Sequence, residues 1–290
     1  MCFRSLWLAG LVFFAFMANA QAAETGPRAY QNVPTGINLV QLYYKNSESR
    51  GTQVVTSDLE VLRYYRYFDF FGNVALVGGY LPLAQAKLSI PAFRLNKETS
   101  GLADPALVFG FDFYGAPAIS MDEYKDWVQE TILGFSMQVS VPLGRYNKTS
   151  ILNLGANRWM FKPELAMSHQ FGTSGLYLET YLNYQFFTKN RNYLGSNVKD
   201  QNGQWGVDVH LAYEFMRGGF VSIDYFHTWD GEAKINGVLQ GDKLRDTKLG
   251  ATFKMPLSRT LAAEFRYSDD LETKSGNKTR SAQARLQYVW

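Results

Sequence analysis

Ser281-Ala282-Gln283-Ala284-Arg285-Leu286-Gln287-Tyr288-Val289-Trp290 alternates in character and ends on an aromatic residue. In an extended strand, Ala282, Ala284, Leu286, Tyr288 and Trp290 share one face, and Ser281, Gln283, Arg285, Gln287 and Val289 share the other. The ends of water-soluble domains usually fray. The last strand of an outer-membrane barrel instead closes the cylinder and turns its apolar side to lipid. The stretch therefore predicts a spanning strand with Arg285 inward, and it supplies a register to test along the chain.

Working back from it, extended segments of similar length recur. They cover residues 36–45, 54–67, 73–85, 105–114, 131–142, 159–170, 176–187, 205–216, 220–228, 247–255, 260–268 and 280–290. Alternation is clear in most of the second half: Val207, Val209, Leu211, Tyr213 and Phe215 oppose Asp208, His210, Ala212 and Glu214. Leu261, Ala263, Phe265 and Tyr267 likewise oppose Ala262, Glu264, Arg266 and Ser268. The expected fold is all-β: an antiparallel up-and-down transmembrane β-barrel of about 12 strands. A soluble sandwich also alternates, but it does not explain the spacing of the connections. Polar connections at 46–53, 86–104, 143–158, 188–204, 229–246 and 269–279 take turns with tight ones at 68–72, 171–175, 217–219 and 256–259. Long external loops and short periplasmic turns produce this rhythm, with both chain ends periplasmic. The connection 115–130 breaks it, being long where a short turn is due. A weak helical pattern at 120–129 lies inside it.

The aromatic residues, 18 Tyr, 21 Phe and 6 Trp, suit two interfacial girdles. Trp159, Trp205 and Trp229, with Phe186 and Phe187, fall at the loop ends of strands. Tyr65, Tyr67, Phe68, Phe70, Phe71, Phe171 and Trp290 fall at the opposite ends. Arg63 and Arg66 sit where the second strand's alternation is muddled; a bulge there is one explanation, and either arginine suits lipid phosphates or the lumen.

The N-terminus reads as an export signal. Arg4 precedes an apolar run at 6–17, shorter than the roughly 20 residues of a spanning helix. Ala18-Asn19-Ala20 or Ala20-Gln21-Ala22 then offers small-x-small cleavage. The expected organisation is a signal peptide at 1–22, a leader at 23–35 that could tuck into the lumen as a gate, and the barrel at 36–290. The single cysteine, Cys2, lies in the signal, so disulfides and thiolate chemistry are excluded from the mature chain. The net charge of +3 and the lack of a basic run give no case for nucleic acid.

With apolar residues toward lipid, the other parity lines a polar lumen. Glu164, Glu179, Asp208, His210, Glu214 and Asp224 then gather on middle strands, and Lys248, Lys254, Glu264, Arg266 and Arg285 on the last ones. A transverse field that orients solutes and a space-filling ion network are both open readings. His210 beside Asp208 has the makings of a general base, although no nearby serine completes a nucleophile signature. His169 and His227 have outward parity. Metal-ligand spacing is absent, so neither metal nor cofactor is expected. Asn153, Gly155, Asn157 and Arg158, in the third long connection, are candidates for a loop folded inward as a constriction.

Several motifs carry a resemblance: Arg28-Ala29-Tyr30, Pro34-Thr35-Gly36, Gly101-Leu102-Ala103-Asp104-Pro105, Phe113-Tyr114-Gly115-Ala116-Pro117-Ala118 and Val141-Pro142-Leu143-Gly144-Arg145-Tyr146. The most specific is Asn153-Leu154-Gly155-Ala156-Asn157-Arg158-Trp159, continued by Phe161-Lys162-Pro163-Glu164. Together they resemble the MetA-pathway of phenol degradation family, over nearly the whole mature chain. The resemblance implies an outer-membrane barrel through which small hydrophobic or aromatic compounds pass. Such barrels most often end in Phe, and here Trp290 holds that place. The expected partners are outer-membrane lipid, small organic solutes and, through the last strand, the barrel-assembly machinery. An outer-membrane lipid-modifying enzyme and a structural or adhesive barrel are the alternatives.

Overall fold

The computed structural model describes residues 24–290; the expected signal peptide and its cleavage sites lie outside the described residues. The strands in chain order are β1 (Asn38–Arg50), β2 (Val54–Phe70), β3 (Asn73–Ile90), β4 (Leu95–Leu102), β5 (Ala106–Tyr114), β6 (Thr131–Ser140), β7 (Met160–Gln170), β8 (Leu176–Phe187), β9 (Asn190–Tyr193), β10 (Asn197–Gln201), β11 (Gln204–Met216), β12 (Gly219–Asp230), β13 (Ala233–Ile235), β14 (Val238–Leu239), β15 (Leu244–Pro256), β16 (Leu261–Glu272) and β17 (Lys278–Val289). One helical turn, α1 (Met121–Tyr124), lies between β5 and β6.

Twelve of these strands close a barrel. The order runs β1-β2-β3-β5-β6-β7-β8-β11-β12-β15-β16-β17, and β17 returns to pair antiparallel with β1. The closing seam is long, from Leu39 opposite Val289 to Arg50 opposite Lys278. Closure leaves none of these twelve strands as a free edge, the condition for crossing a hydrocarbon layer with sheet. Trp290 finishes the seam by exchanging backbone hydrogen bonds with Asn38 at 2.9 and 3.1 Å.

The outer surface identifies the solvent. Leu42, Leu62, Leu81, Leu107, Leu165, Leu182, Leu211, Ile223, Phe253, Phe265 and Leu286 all point outward and are exposed. In a water-soluble protein a continuous apolar band of this kind would be buried. Here the buried set is the polar one, including Glu164, Glu179, Asp208 and Asp224. This inversion is the pattern of a transmembrane barrel with a polar interior.

Three expectations need correcting. Strands run past the expected membrane limits, so the connection foreseen at 46–53 shrinks to a tight hairpin after Arg50, and the one at 269–279 shortens likewise. Three other polar connections contain strands: β4 extends the sheet beside the end of β3, while β9, β10, β13 and β14 form a separate four-stranded sheet at the loop rim. Alternation is a poor guide to such strands because neither face meets lipid. Finally, β2 has no bulge; its pairings with β1 and β3 are continuous. Its pattern is muddled because its inward residues Val55, Leu59 and Val61 are buried and apolar too.

Both girdles form on the outer face. At the loop rim Trp205 stacks 6.2 Å from Trp229, and Phe161 5.1 Å from Phe186. At the terminal rim, where β1 begins and β17 ends, Trp290 lies 5.6 Å from Tyr288 and 6.4 Å from Tyr64. Tyr65 and Tyr67 do not join this girdle; they line the interior.

Candidate functional site: the barrel lumen

The leader enters the barrel and is tied to one wall. The backbone N–H of Thr25 donates to Asp208 at 2.7 Å, and its hydroxyl donates to Glu164 at 2.6 Å. The Arg28 N–H donates to Glu179 at 2.5 Å, and the Tyr30 hydroxyl contacts Ser136 at 2.8 Å and donates to Glu164 at 3.0 Å. Lys248 holds Glu24 at 2.5 Å. The Arg28 guanidinium lies 3.5 Å over the Tyr177 ring and 3.7 Å from Glu214. The leader fits closely enough that a Cβ at Gly26 would fall 1.8 Å from an Arg266 nitrogen. Buried carboxylates need charged or N–H partners, and a backbone with free N–H groups supplies them.

The remaining candidates of the polar face take their places around this contact. His210 meets Asp224 through Nδ1 at 2.8 Å and the Thr25 carbonyl through Nε2 at 3.0 Å. Asp224 also accepts from Ser222 and Thr252, at 2.8 and 2.6 Å. Glu264 bridges Arg266 and Arg285. Lys254 is buried beside the Phe220 ring, with no carboxylate in ion-pair range among the described residues.

The opposite wall is apolar. Inward residues of β2, β3 and β5 (Val55, Leu59, Val61, Tyr80, Leu88, Ile90 and Val108) form one cluster with Leu152 and Leu154 of the connection between β6 and β7. That connection folds into the barrel, and Leu154 is wholly buried. Asp104 anchors it, accepting the Gly144 N–H at 2.8 Å and the Ala156 N–H at 2.7 Å. A Cβ at Gly155 would lie 2.7 Å from the Gly144 carbonyl oxygen, so this close approach requires glycine. The Asn190 amide then ties the loop to the rim sheet, donating to Tyr146 at 2.9 Å and Ala156 at 3.1 Å.

The four loop candidates sit in this knot. Asn153 accepts from the Asn147 N–H at 2.7 Å, and Asn157, at φ 52°, donates to Asn190 at 2.9 Å. Arg158 donates to Gln201 and lies 4.3 Å over Phe187. Burial draws the Arg158 guanidinium down to about 10 and, with that positive charge nearby, Lys199 of β10 down to about 8. Burial raises Asp104 despite its two N–H donors.

The connection 115–130 forms a strap at the terminal rim. Val74 donates to the Ala116 carbonyl at 3.0 Å, and Thr35 donates to that of Ile119 at 3.0 Å, so the strap holds both β3 and the end of the leader. Farther on, Arg217 donates to the Tyr124 carbonyl at 2.7 Å and lies 4.8 Å over its ring.

Between leader, strap and apolar wall lies a cavity of about 1350 Å³. Tyr43, Arg63, Tyr65, Tyr67, Tyr80 and Arg285 line it. The sequence reading missed Asp104, Leu154 and the tyrosines of this cavity. Their one signal was the Gly-Leu-Ala-Asp-Pro and Asn-Leu-Gly motifs, whose meeting is a matter of tertiary structure.

Comparison with known proteins agrees with this geometry. In structure the chain is similar to an outer membrane channel from Pseudomonas putida F1, at 22% identity and a TM-score of 0.81, covering 92% of this chain and 100% of that one. More distant are the transport unit of the autotransporter AIDA-I from Escherichia coli (9% identity, TM-score 0.53, 94% and 95% covered) and the beta domain of the Bordetella autotransporter BrkA (12%, 0.51, 88% and 100%). No curated protein matches the chain. The family model described as "Putative MetA-pathway of phenol degradation" matches residues 34–288, so the chain belongs to that family of outer-membrane barrels.

Proposed function

We propose that the protein is a passive outer-membrane channel for small hydrophobic or aromatic compounds, gated by its own leader. The observation that carries this reading is the tyrosine-lined cavity inside a closed barrel, bounded by a segment held through hydrogen bonds, ion pairs and the packing of Tyr30 on Tyr181. Family membership supports the aromatic character of the solute, and the fold shared with the Pseudomonas channel supports passage. The long connections face outward, and β1 begins and β17 ends at the periplasmic rim, as in barrels of this kind. On this arrangement the leader and the strap guard the periplasmic mouth, while Leu152 and Leu154 close the outer half. Solute flows down its gradient.

The lumen carboxylates and His210 act as the leader's dock. Both ring nitrogens of His210 are already engaged, by Asp224 and the Thr25 carbonyl, so neither is open to a substrate. Planar-bilayer recording, with uptake of phenol against a sugar by proteoliposomes, tests the channel. Conductance with phenol uptake ahead of the sugar is expected; a silent bilayer together with no uptake of either would discard the reading.

A further inference from the structure

Most lumen cations have an anion. Arg28, Lys162, Lys248, Arg266 and Arg285 each reach a carboxylate within 4 Å. Arg63, midway along β2, reaches none among the described residues, and its Nε is shut from solvent without a hydrogen-bond partner. Three tyrosine rings surround its guanidinium carbon: Tyr43 at 4.7 Å, and Tyr65 and Tyr80 each at 5.5 Å. A weakly hydrated guanidinium stacks well on aromatic faces. Stacking leaves its N–H fork unused, and that fork matches a carboxylate.

The surroundings favour the same ligand. Arg285 donates to the Tyr43 hydroxyl at 3.2 Å and flanks the same ring at 5.4 Å, so two guanidinium groups bracket Tyr43. Ten Lys or Arg residues line the cavity against four Asp or Glu. Three of those acids, Glu24, Glu164 and Glu214, are already paired with Lys248, Lys162 and Arg28. The free charge of the cavity is therefore positive. Beside Arg63 the wall is apolar, with Leu59, Val61 and Val108 packed against the tyrosines. Acetate would meet the fork but not the rings, and neutral phenol would meet the rings but leave the charge unpaired.

We propose that Arg63, framed by Tyr43, Tyr65 and Tyr80, is the carboxylate subsite for a small aromatic acid of the benzoate class. The assignment rests on the channel reading for its purpose, but binding is measurable without flux. Calorimetric titration of the refolded full chain with benzoate, phenol and acetate should show benzoate binding about tenfold tighter than either. Arg63→Leu should bring benzoate down to the level of phenol and leave phenol unchanged. Arg63→Lys, which keeps the charge but loses the fork, should weaken benzoate several-fold. Folding is checked by heat-modifiable gel migration, and if Arg63→Leu fails that check, the lysine variant decides. Unchanged benzoate affinity in a folded variant, or acetate binding as well as benzoate, overturns the subsite. Failure of the channel reading looks different: benzoate still binds at Arg63, but neither benzoate nor phenol crosses the bilayer.

Discussion

The two walls of the lumen solve opposite problems. The wall built from β7 to β17 presents buried carboxylates and a histidine, and it holds the leader by discrete, directional bonds. The wall built from β2, β3 and β5 presents Val, Leu, Ala and Tyr, and the inward-folded loop seals it by non-directional packing. Directional bonds to backbone N–H groups can be exchanged for water one by one, which suits a segment that moves. Apolar packing is lost all together, which suits a seal that stays. For the proposed channel, the difference suits the leader to gating and Leu152 and Leu154 to closure.

Removing the leader, by deleting residues 24–34, breaks the comparison most directly. Single-channel conductance should rise several-fold, because the segment that occupies the lumen is gone; unchanged conductance would show that the apolar wall alone limits flow. Glu179→Ala strips the acceptor of the Arg28 N–H and of Ser168. Leaving Arg28 short of an anion should cost about 3 kcal/mol in urea unfolding from lipid and raise open-state noise. On the other wall, Leu154→Ala should cost about 2–4 kcal/mol as a core truncation. Its effect on conductance should be smaller than that of the leader deletion, and a larger one would reverse the roles of the two walls.

The smallest effect concerns the rim sheet and sharpens its link to the loop. Lys199 is held at about 8, below the ordinary 10.5, by burial and by Arg158. A lysine with a depressed folded pKa contributes stability that is complete above its unfolded pKa and is lost as pH falls through about 8. Proteolytic nicking of residues 188–204 should therefore be slower at pH 9 than at pH 7. In Lys199→Met the difference should vanish; if it persists, another group governs the sheet.

The barrel was largely legible in the sequence because one physical contrast organises it. From β6 onward, lipid outside and polar lumen inside impose a period of two, and the expected strand limits match within a few residues. The same contrast fails at β2 and β3, whose inward residues are apolar too because Leu152 and Leu154, from a loop far along the chain, pack inside. There Arg63 and Arg66 could not be told apart. The structure turns Arg63 into the cavity, and Arg66 outward, where it bonds the Gly36 carbonyl at 2.5 Å. The connection 115–130 stood out by length alone; its hold on the leader through Thr35 and Asn32 was hidden.

Alternation, aromatic placement and loop rhythm by themselves determined a membrane barrel of about twelve strands and, from β6 onward, which charged residues face inward, since these depend only on neighbours along a strand. Tertiary structure alone decided what fills the lumen. The leader's docking, the meeting of Asp104 with Gly144 and Ala156, and the tyrosine frame of Arg63 each join residues from different strands or loops, and strand periodicity carries no record of contacts made across an interior.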